Sequence, residues 1–411
     1  MTRVRALVSL AVLFAALAAG TTGAGAGTTP GPRAHAATVC SSGLGSTRDP
    51  GNPLALDGAP GGNPLSGAQS RFFVQTPARG TAGKVIDSLL GVTPPDTESW
   101  ADFKASLTSG PLAQKLAADP ALASKVNLLS KIADEPETSR FSTYTAGGGP
   151  GAISSQLNKF LCRMHAVDPA AIPLLSTYFI VHNNHCKTES PGEQAVFKRR
   201  VDEFVAGVAN YPTVIFIEED AVDTSGCLTK LGLAIRKRLL NYEVGAIAKV
   251  PHAVAYLDGG TEDGNSARFA AQILNAAGTG RIRGFFLNAT HENWTSKEIS
   301  FGAKISRLAH GAHFIINTAD NGRGPLLNPH PVTQGVEDLC NPPGRGLGPK
   351  PTTSTGFPLA DAFEWTSVPG KSGGTCHPGD PPGGVFGVNI ALALARNANS
   401  QLGPGDPSLP Y

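Results

Sequence analysis

The 411-residue chain is poor in aromatic side chains, in excess charge and in long apolar runs. Aromatic residues make up 7% of it, and only three residues are Trp. The chain has 34 lysine and arginine residues against 32 aspartate and glutamate residues. It therefore lacks the excess of positive charge with which proteins bind nucleic acids and anionic membranes. Beyond the N-terminus, no run approaches the roughly 18 apolar residues of a membrane span. We therefore expect neither nucleic acid nor membrane as a partner.

The N-terminus has the pattern of a secretion signal. Arg3 and Arg5 precede an apolar, Ala/Leu-rich run over residues 6–20, and small residues follow. We expect cleavage after Ala26, with Ala36 as a second candidate, and a secreted (extracellular) mature protein; the alternative is an uncleaved N-terminal anchor. Residues 27–63 are rich in Gly, Pro and Ser and predict a flexible lead-in. The signal peptide would then occupy residues 1–26.

Six cysteines are present, and none of them forms a Cys-x-x-Cys pair, which argues against a zinc knuckle. If the protein is exported, we expect the six cysteines to form three disulfides, because secreted proteins mature in an oxidising compartment. Their spacing alone does not choose among the pairings of Cys40, Cys162, Cys186, Cys227, Cys340 and Cys376.

Short continuous apolar runs alternate with amphipathic stretches along most of the chain. The apolar runs predict buried parallel strands over residues 174–181, 213–217, 253–257, 284–287, 312–316 and 362–365. The amphipathic stretches predict helices over residues 84–91, 99–107, 111–131, 192–209, 228–249, 265–278 and 296–310. Repeated strand–helix units indicate an α/β fold, either a β/α barrel or a doubly wound sheet. The element lengths favour the barrel, and no Gly-rich dinucleotide loop follows the first strand.

Polar and acidic side chains follow five of the predicted strands. Barrel enzymes keep their active sites at the carboxyl end of the strands, so this gathering favours a catalytic or binding site. The alternative is that each residue only caps the helix that follows. The residues are His182, Asn183, His185, Glu218, Glu219, Asp220, Asp258, Asn288, Asn317 and Asp320.

Several segments are similar, in order and spacing, to the motifs of one enzyme family. Residues 217–222 (I-E-E-D-A-V) look like its I-E-P-D-S-L, and residues 256–260 (Y-L-D-G-G) look like its Y-L-D-A-G. Residues 284–294, 314–322 and 340–348 are similar to its G-F-x-x-N-V-x-N-Y-x-W, F-I-I-D-T-S-R-N-G and C-N-P-P-G-R-A-L-G. Over about residues 64–400, the sequence resembles glycoside hydrolase family 6, the inverting β-1,4-glucanases and cellobiohydrolases.

The resemblance implies an irregular, distorted TIM-like barrel over residues 64–411 and hydrolysis of a β-glucan-like polysaccharide or oligosaccharide. It places Asp220 at the position of the proton donor. It also implies the disulfides Cys186–Cys227 and Cys340–Cys376, which leaves Cys40 and Cys162 to pair with each other by our own inference. We expect a monomer without cofactor or metal.

The first barrel strand departs from the family pattern. The family has R-D-C at the end of this strand, where the Asp supports protonation of the acid, but this chain has Asn184-His185-Cys186. A family tyrosine earlier in the strand corresponds to Phe179. Since the unperturbed pKa of histidine is about 6.5, His185 is a candidate proton relay.

The last strand departs further. The family continues W-V-K-P-P-G-E-S-D-G, with the Asp as base, whereas residues 365–374 read W-T-S-V-P-G-K-S-G-G. Gly373 stands at the base position, Ser367 at that of the Lys and Lys371 at that of the Glu. Glycine cannot act as a base, so a replacement carboxylate is needed; the candidates are Asp258, Glu364 and Asp320.

The aromatic platforms that bind sugars are also fewer, since Leu339 stands where the family has a Trp. We predict a substrate site lined by Ser190, Asp258, Asn288, Trp294, Trp365, Ser367 and Lys371. Two alternatives stay open: a non-catalytic glycan-binding protein, and a glycosidase that acts on a cell-envelope glycan.

Overall fold

The computed structural model describes residues 62–409, apart from residues 145, 146, 148, 184 and 328–337. The predicted signal peptide, both cleavage sites, Cys40 and nearly all of the lead-in lie outside the described residues, as does Asn184. In the described part, no helix combines the length and apolar character that a membrane crossing requires.

One parallel sheet organises the molecule, and each of its seven strands pairs with its neighbour in sequence. All six predicted strands are confirmed, with ends that differ by up to three residues; the first strand of the sheet was not predicted. The strands are β1 (Ser139–Ser142), β2 (Leu174–Tyr178), β3 (Thr213–Ile217), β4 (Ala253–Asp258), β5 (Gly284–Leu287), β6 (His313–Asn317) and β7 (Ala360–Glu364).

The sheet curls into an incomplete, distorted barrel surrounded by helices. No strand pairing within the described residues joins β7 to β1. A hydrogen bond of 2.8 Å from Thr138 Oγ1 to the carbonyl of Trp365 links these two edges instead. The predicted irregular β/α barrel is therefore confirmed. The irregularity lies between β7 and β1, which do not pair as strands in the described residues.

Ten α-helices lie in the described part. The helices of the barrel follow their strands, and α1–α4 precede the sheet. The helices are α1 (Thr81–Leu90), α2 (Trp100–Thr108), α3 (Gly110–Ala118), α4 (Pro120–Ala133), α5 (Ala152–Val167), α6 (Pro191–Val208), α7 (Lys230–Ile247), α8 (Ala267–Ala277), α9 (Thr295–Leu308) and α10 (Val388–Arg396).

Alternate residues of the strands face two separate cores, as the period of a strand requires. Ile215 of β3 packs against the helices. Phe216 faces the inside of the barrel, where its ring lies 5.4 Å from that of Phe286 and 6.4 Å from that of Tyr256. Because the interior is filled by these rings, the open end of the barrel is the place left for a site.

The helical stretch predicted over residues 111–131 is confirmed, and it is divided into two helices. Asp119 ends α3 and caps α4, since its carboxylate accepts hydrogen bonds from the backbone N–H of Ala121 and Leu122. Pro120 occupies the first position of α4, where its missing N–H costs nothing. The Asp-Pro pair therefore divides an otherwise continuous amphipathic stretch.

Two of the implied disulfides are confirmed. Cys186 is bonded to Cys227, with 5.3 Å between the Cα atoms, and Cys340 is bonded to Cys376, with 5.9 Å. Both bridges fasten loops at the carboxyl end of the sheet. The pairing of Cys40 with Cys162 stays a prediction, because Cys40 lies outside the described residues.

Candidate active site

Asp220 lies where β3 turns into the following loop. Glu218 and Asp220 have φ angles of 52° and 73°, in the left-handed region that residues with side chains rarely adopt. The N–H of Ala221 donates to the carbonyl of Glu218 at 3.0 Å, which closes this turn. Such conformations cost free energy and persist where the surrounding structure enforces them, often at functional sites. The turn leaves Asp220 partly exposed at the carboxyl end of the barrel.

Two hydroxyl groups from neighbouring elements hold the carboxylate of Asp220. The Tyr178 hydroxyl donates to Oδ2 at 3.1 Å, and the Thr290 hydroxyl donates to Oδ1 at 2.9 Å. Burial raises the pKa of Asp220 above its ordinary value, while Thr290, Arg140 and Tyr178 act in the opposite direction. Burial thus shifts Asp220 towards its neutral form, whereas the two hydroxyl groups and Arg140 stabilise the carboxylate.

An arginine on β1 supplies the positive charge beside Asp220. The Arg140 guanidinium contacts the carboxylate of Glu219 and lies 5.4 Å from the centre of the Tyr178 ring. Glu219 is 5% exposed, and burial raises its pKa while Arg140 lowers it. Sequence reasoning missed both Arg140 and its strand, because a four-residue strand with two serines has no apolar run to reveal it.

A tyrosine that the motif comparison did not single out, Tyr178, lies next to Phe179. Phe179 is fully buried and packs on Phe204 of α6, with 6.0 Å between the ring centroids. Tyr178 instead points its hydroxyl at Asp220. Tyr178 and Phe179 thus face opposite sides of the strand, as the two-residue period of a strand requires.

Glu218 joins the loops that follow β2 and β3. Its carboxylate accepts hydrogen bonds from the N–H groups of Phe179, at 2.5 Å, and Ile180, at 3.1 Å, and from Asn183 Nδ2 at 3.2 Å. Burial raises the pKa of Glu218 to about 7. Because it is fully buried, Glu218 can position Asp220 but cannot contact a substrate from the solvent side.

Among the described residues, the side chains that hydrogen-bond to the carboxylate of Asp220 are Tyr178 and Thr290, and neither Ser190 nor His185 is one of them. Ser190 caps α6 in a reciprocal capping box with Glu193. His185 is exposed, and within the described residues its imidazole forms no hydrogen bond with Asp220. Their roles in substrate binding and proton relay stay predictions.

Asp258 and Asn288 connect loops from buried positions. Asp258 is 1% exposed and accepts hydrogen bonds from the N–H groups of Val222 and Gly260, at 2.7 and 3.2 Å. Burial raises its pKa well above the ordinary value. Asn288 is fully buried and donates to the carbonyls of Asn293 and Asn317. These contacts align the ends of β4, β5 and β6.

Two of the three tryptophans are packed inside the protein. Trp365 is 2% exposed and Trp100 is 5% exposed, and both belong to the core formed by α1, α2, α4 and α10. Trp294 is partly exposed. A Cβ atom added at Gly324 would lie 2.2 Å from its ring, so the indole packs directly on the backbone of that glycine. Trp294 is therefore the most exposed of the three tryptophans.

The segment after β7 brings Ser367, Lys371 and Gly373 to the carboxyl end of the sheet. Ser367 accepts a weak hydrogen bond from Asn317 Nδ2 at 3.4 Å. Lys371 is partly exposed, and burial and the charge of Arg140 lower its pKa. Gly373 is exposed, and its N–H donates to Asn341 Oδ1 at 2.8 Å.

The three candidate replacement carboxylates differ in access to solvent. Glu364 is fully buried, and burial raises its pKa well above the ordinary value; within the described residues neither of its carboxylate oxygens has a hydrogen-bond partner. Asp258 is buried as well, whereas Asp320 is partly exposed. In the part of the chain that the structure describes, no cluster of His, Cys, Asp and Glu could hold a metal ion.

Comparison with known families decides the assignment. The family model described as "Glycosyl hydrolases family 6" matches residues 100–398, well over half of the chain. The chain belongs to glycosyl hydrolase family 6. This family membership confirms the resemblance found in the motifs.

Relatives within family 6 include endoglucanases. Endoglucanase A of Cellulomonas fimi is 31% identical over 273 residues, which is 66% of this chain and 56% of that protein. Endoglucanase 1 of Streptomyces halstedii is 26% identical over 272 residues, covering 64% of this chain and 78% of that protein. The chain thus spans just over half the length of the Cellulomonas relative.

Solved family 6 structures share the fold. The endoglucanase Cel6 from Mycobacterium tuberculosis, in complex with methyl-cellobiosyl-4-deoxy-4-thio-β-D-cellobioside, is 31% identical with a TM-score of 0.59. The match covers 71% of this chain and 95% of that one. Endoglucanase CEL6B from Humicola insolens has a TM-score of 0.60 at 17% identity, covering 82% and 99%, which shows the fold alone.

Proposed function

We propose that this chain is a secreted glycoside hydrolase that cleaves glycosidic bonds of a β-glucan-like polysaccharide with inversion, using Asp220 as proton donor. The observation that carries the proposal is the environment of Asp220. Its carboxyl group is partly exposed at the end of β3, burial raises its pKa, and two hydroxyl groups contact it. Membership of family 6 and the cello-oligosaccharide analogue bound by the Mycobacterium tuberculosis relative support a glycan as the substrate.

In this mechanism, Asp220 protonates the glycosidic oxygen as the bond to the sugar breaks. Inverting glycosidases need the acid protonated before the reaction, which the raised pKa favours. After the transfer, the Tyr178 and Thr290 hydroxyls stabilise the new carboxylate by hydrogen bonds that are stronger to a charged acceptor. Trp294, Ser367 and Lys371 would contact the sugars around the cleaved bond, and His185 stays a candidate relay of protons to solvent.

The attacking water needs a second carboxylate on the opposite face of the sugar, about 6.5–9.5 Å from the acid. Gly373, at the position that the motif comparison gives to the base, has no side chain for this task. Of the replacement candidates, Asp258 and Glu364 are buried and Asp320 is partly exposed. We therefore assign the base role to Asp320.

The test is release of reducing ends from a panel of β-glucans by the wild-type protein and by the matched pair Asp220→Asn and Asp320→Asn. Proton NMR of the first product gives its anomeric configuration. Turnover that both substitutions abolish while glycan binding persists supports the proposal. Turnover unchanged in Asp220→Asn, or retention of configuration, contradicts it.

A second candidate function is glycan binding without catalysis, and the glycine at position 373 favours it. A cleft that has lost its base can still hold a sugar chain through Trp294 and polar side chains. Binding of a glucan by the wild-type protein, measured by calorimetry, with no reducing ends released after prolonged incubation would favour this candidate over the enzyme.

A further inference from the structure

Two neighbouring residues of the loop after β5 contact the loop after β3. The hydroxyl of Thr290 donates to Asp220 Oδ1 at 2.9 Å, and the imidazole of His291 lies 3.2 Å from the carboxylate of Asp223. Asp223 follows Asp220 by three residues in the chain. The hydrogen bond to the proposed proton donor is therefore accompanied by a second contact between the same two loops.

The imidazole of His291 lies between two carboxylates. Its Nε2 faces Asp223 Oδ2 at 3.2 Å, and its Nδ1 faces Asp263 Oδ1, in the loop after β4, at 3.1 Å. A carboxylate only accepts hydrogen bonds, so both contacts are hydrogen bonds when both ring nitrogens carry a proton. His291 is 7% exposed, and it links the loops that follow β3, β4 and β5.

Acidic groups from three elements surround this ring. Burial raises the pKa of Asp263, but contacts with His291 and Asn293 outweigh burial and hold that pKa below its ordinary value. Glu298 of α9 accepts a hydrogen bond from Asn293 Nδ2 at 3.0 Å, and its pKa, which burial raises to about 8, is also subject to the charge of His291. With Asp223, these residues make His291 the basic group among three acids.

Asn288 closes the loop that carries Thr290 and His291. Asn288 Oδ1 accepts a hydrogen bond from the N–H of Asn293 at 3.1 Å, and Asn288 Nδ2 donates to the carbonyl of Asn293 at 3.2 Å. Asn293 Nδ2 also donates to the carboxylate of Asp263. Because the loop is closed at both ends, a displacement of His291 also displaces Thr290.

We propose that His291 is a positioning residue for the proton donor: it ties the loop after β5 to the loops after β3 and β4, and so keeps the Thr290 hydroxyl on Asp220. This inference rests on the proposed function, because it names a residue that acts through Asp220. Without the imidazole, Asp223 and Asp263 would lose the donor between them, and their like charges would favour separation of the loops.

The experiment is a double-mutant cycle measured on Asp220 itself. Carbon-13 NMR titration of the Asp220 carboxyl group compares wild type, His291→Asn, Thr290→Val and the double variant. Thr290→Val removes a hydrogen bond to the charged form and should raise the pKa of Asp220. His291→Asn cannot reach both carboxylates and should raise this pKa as well. In the Thr290→Val background it should cause no further shift, because the two residues act through one hydrogen bond.

The cycle separates positioning from two other effects. Loss of the positive charge of His291 would act on Asp220 whether or not Thr290 has a hydroxyl, so its shift would add to that of Thr290→Val. Loss of stability alone would lower the unfolding temperature without moving the titration of the folded protein. In the hydrolysis assay, the alkaline limb of the pH profile should move to higher pH in step with the titration.

Two further variants complete the design. His310→Asn is the matched control, because His310 is exposed before β6, at the opposite end of the barrel, and it should leave the titration unchanged. Asp263→Ala removes one acceptor of His291 from an exposed position and should also raise the pKa of Asp220. It replaces His291→Asn in the cycle if that variant does not fold, which thermal unfolding verifies.

The outcomes distinguish this inference from the proposed function. A titration of Asp220 that is unchanged in the folded variant, or a shift that adds to that of Thr290→Val, overturns the positioning role and leaves the hydrolase proposal standing. A raised pKa that Thr290→Val makes redundant supports the role. Because the titration needs no turnover, it gives this answer even if the wild-type protein hydrolyses no glucan, a result that would contradict the proposed function alone.

Discussion

At the scale of single residues, the site is defined by what surrounds Asp220. The same carboxyl group receives hydrogen bonds from Tyr178 and Thr290, which favour its charged form, and is buried enough to favour its neutral form. A general acid must be able to hold a proton and also to release it. Burial and the two hydrogen bonds act in opposite directions on the pKa of Asp220, so the same surroundings allow both the protonated and the charged carboxyl group.

Removing the tyrosine hydroxyl should change the pH at which Asp220 loses its proton. The hydroxyl of Tyr178 stabilises the carboxylate, so Tyr178→Phe should raise the pKa of Asp220 further. Because the acid must be protonated to act, the alkaline limb of the activity profile should move to higher pH. Carbon-13 NMR titration of the Asp220 carboxyl group measures the same shift without turnover. A shift to lower pH, or none, would show that this hydrogen bond does not tune the acid.

Restoring a carboxylate at position 373 tests whether a base is missing. A Cβ atom at Gly373 would meet its nearest neighbour, the carbonyl oxygen of Leu339, at 3.5 Å, which is an ordinary contact. Gly373→Asp should therefore fold normally. If the wild-type protein lacks a base, hydrolysis of a β-glucan should rise by about 100-fold or more.

The control for this gain is Gly373→Asn, which has nearly the same shape and no basic carboxylate. It should remain at the wild-type rate. Equal rates for Gly373→Asp, Gly373→Asn and wild type would mean that another group, such as Asp320, already activates the water.

The sequence motifs single out the proposed proton donor but not the groups that contact it. Asp220 is evident from its motif, which is contiguous along the chain. Arg140 and Thr290 reach it from other elements, so no local pattern connects them with it. The motif comparison singled out Phe179 and not its neighbour Tyr178, because such a comparison does not fix which face of the strand each residue occupies. Contacts across the barrel require the folded chain.

At the scale of elements, burial explains which strands and helices are predictable. Strands β2–β7 have mostly buried residues, and a strand enclosed on both faces gives a continuous apolar run. β1 lies at the edge of the sheet and its first two residues are only partly buried, so its sequence lacks that run. Local capping also decides boundaries, as the division between α3 and α4 at Asp119 shows.

Replacing that cap should weaken α4 measurably. Asp119→Ala removes the acceptor for two backbone N–H groups at the start of the helix, and we expect a loss of about 1 kcal/mol in the free energy of unfolding. Asp119→Asn retains a side-chain oxygen and should lose much less. Urea unfolding of the three proteins gives the comparison, and an equal loss in both variants would contradict the capping role.

At the scale of the whole molecule, hydrogen bonds between loops hold the open end of the barrel together. Asn183 and Glu218 join the loops after β2 and β3, and Asp258 joins the end of β4 to the loop after β3. His291, after β5, lies between Asp223 and Asp263, at 3.2 and 3.1 Å from their carboxylates. The carboxyl end is thus one connected network that includes buried acids.

Buried acids make the stability of the whole protein depend on pH. Burial raises the pKa of Glu298 from 4.5 to about 8, so the folded state binds its proton more tightly than the unfolded state does. Its contribution to stability is fully present below about pH 4.5 and is lost as the pH rises through 8. The slope approaches about 1.4 kcal/mol per pH unit for one such group.

Glu298→Gln removes this titration and can keep the hydrogen bond that Glu298 accepts from the N–H of Glu262 at 2.9 Å. The decline in the free energy of unfolding between pH 5 and 8 should therefore be shallower than in the wild type. Glu262→Gln, at an exposed position, is the control and should leave the slope unchanged. Parallel pH profiles for wild type and Glu298→Gln would refute the assignment.

The incomplete closure of the barrel also bears on self-association. A closed barrel has no free strand edges, whereas an open one offers backbone groups to a strand of another molecule. In the described part of the chain, β1 pairs with β2 alone, so its other side is such an edge. With four residues, β1 gives an incoming strand few hydrogen bonds to form. We expect the shortness of β1 to limit edge-to-edge pairing, which closed barrels avoid by having no edge.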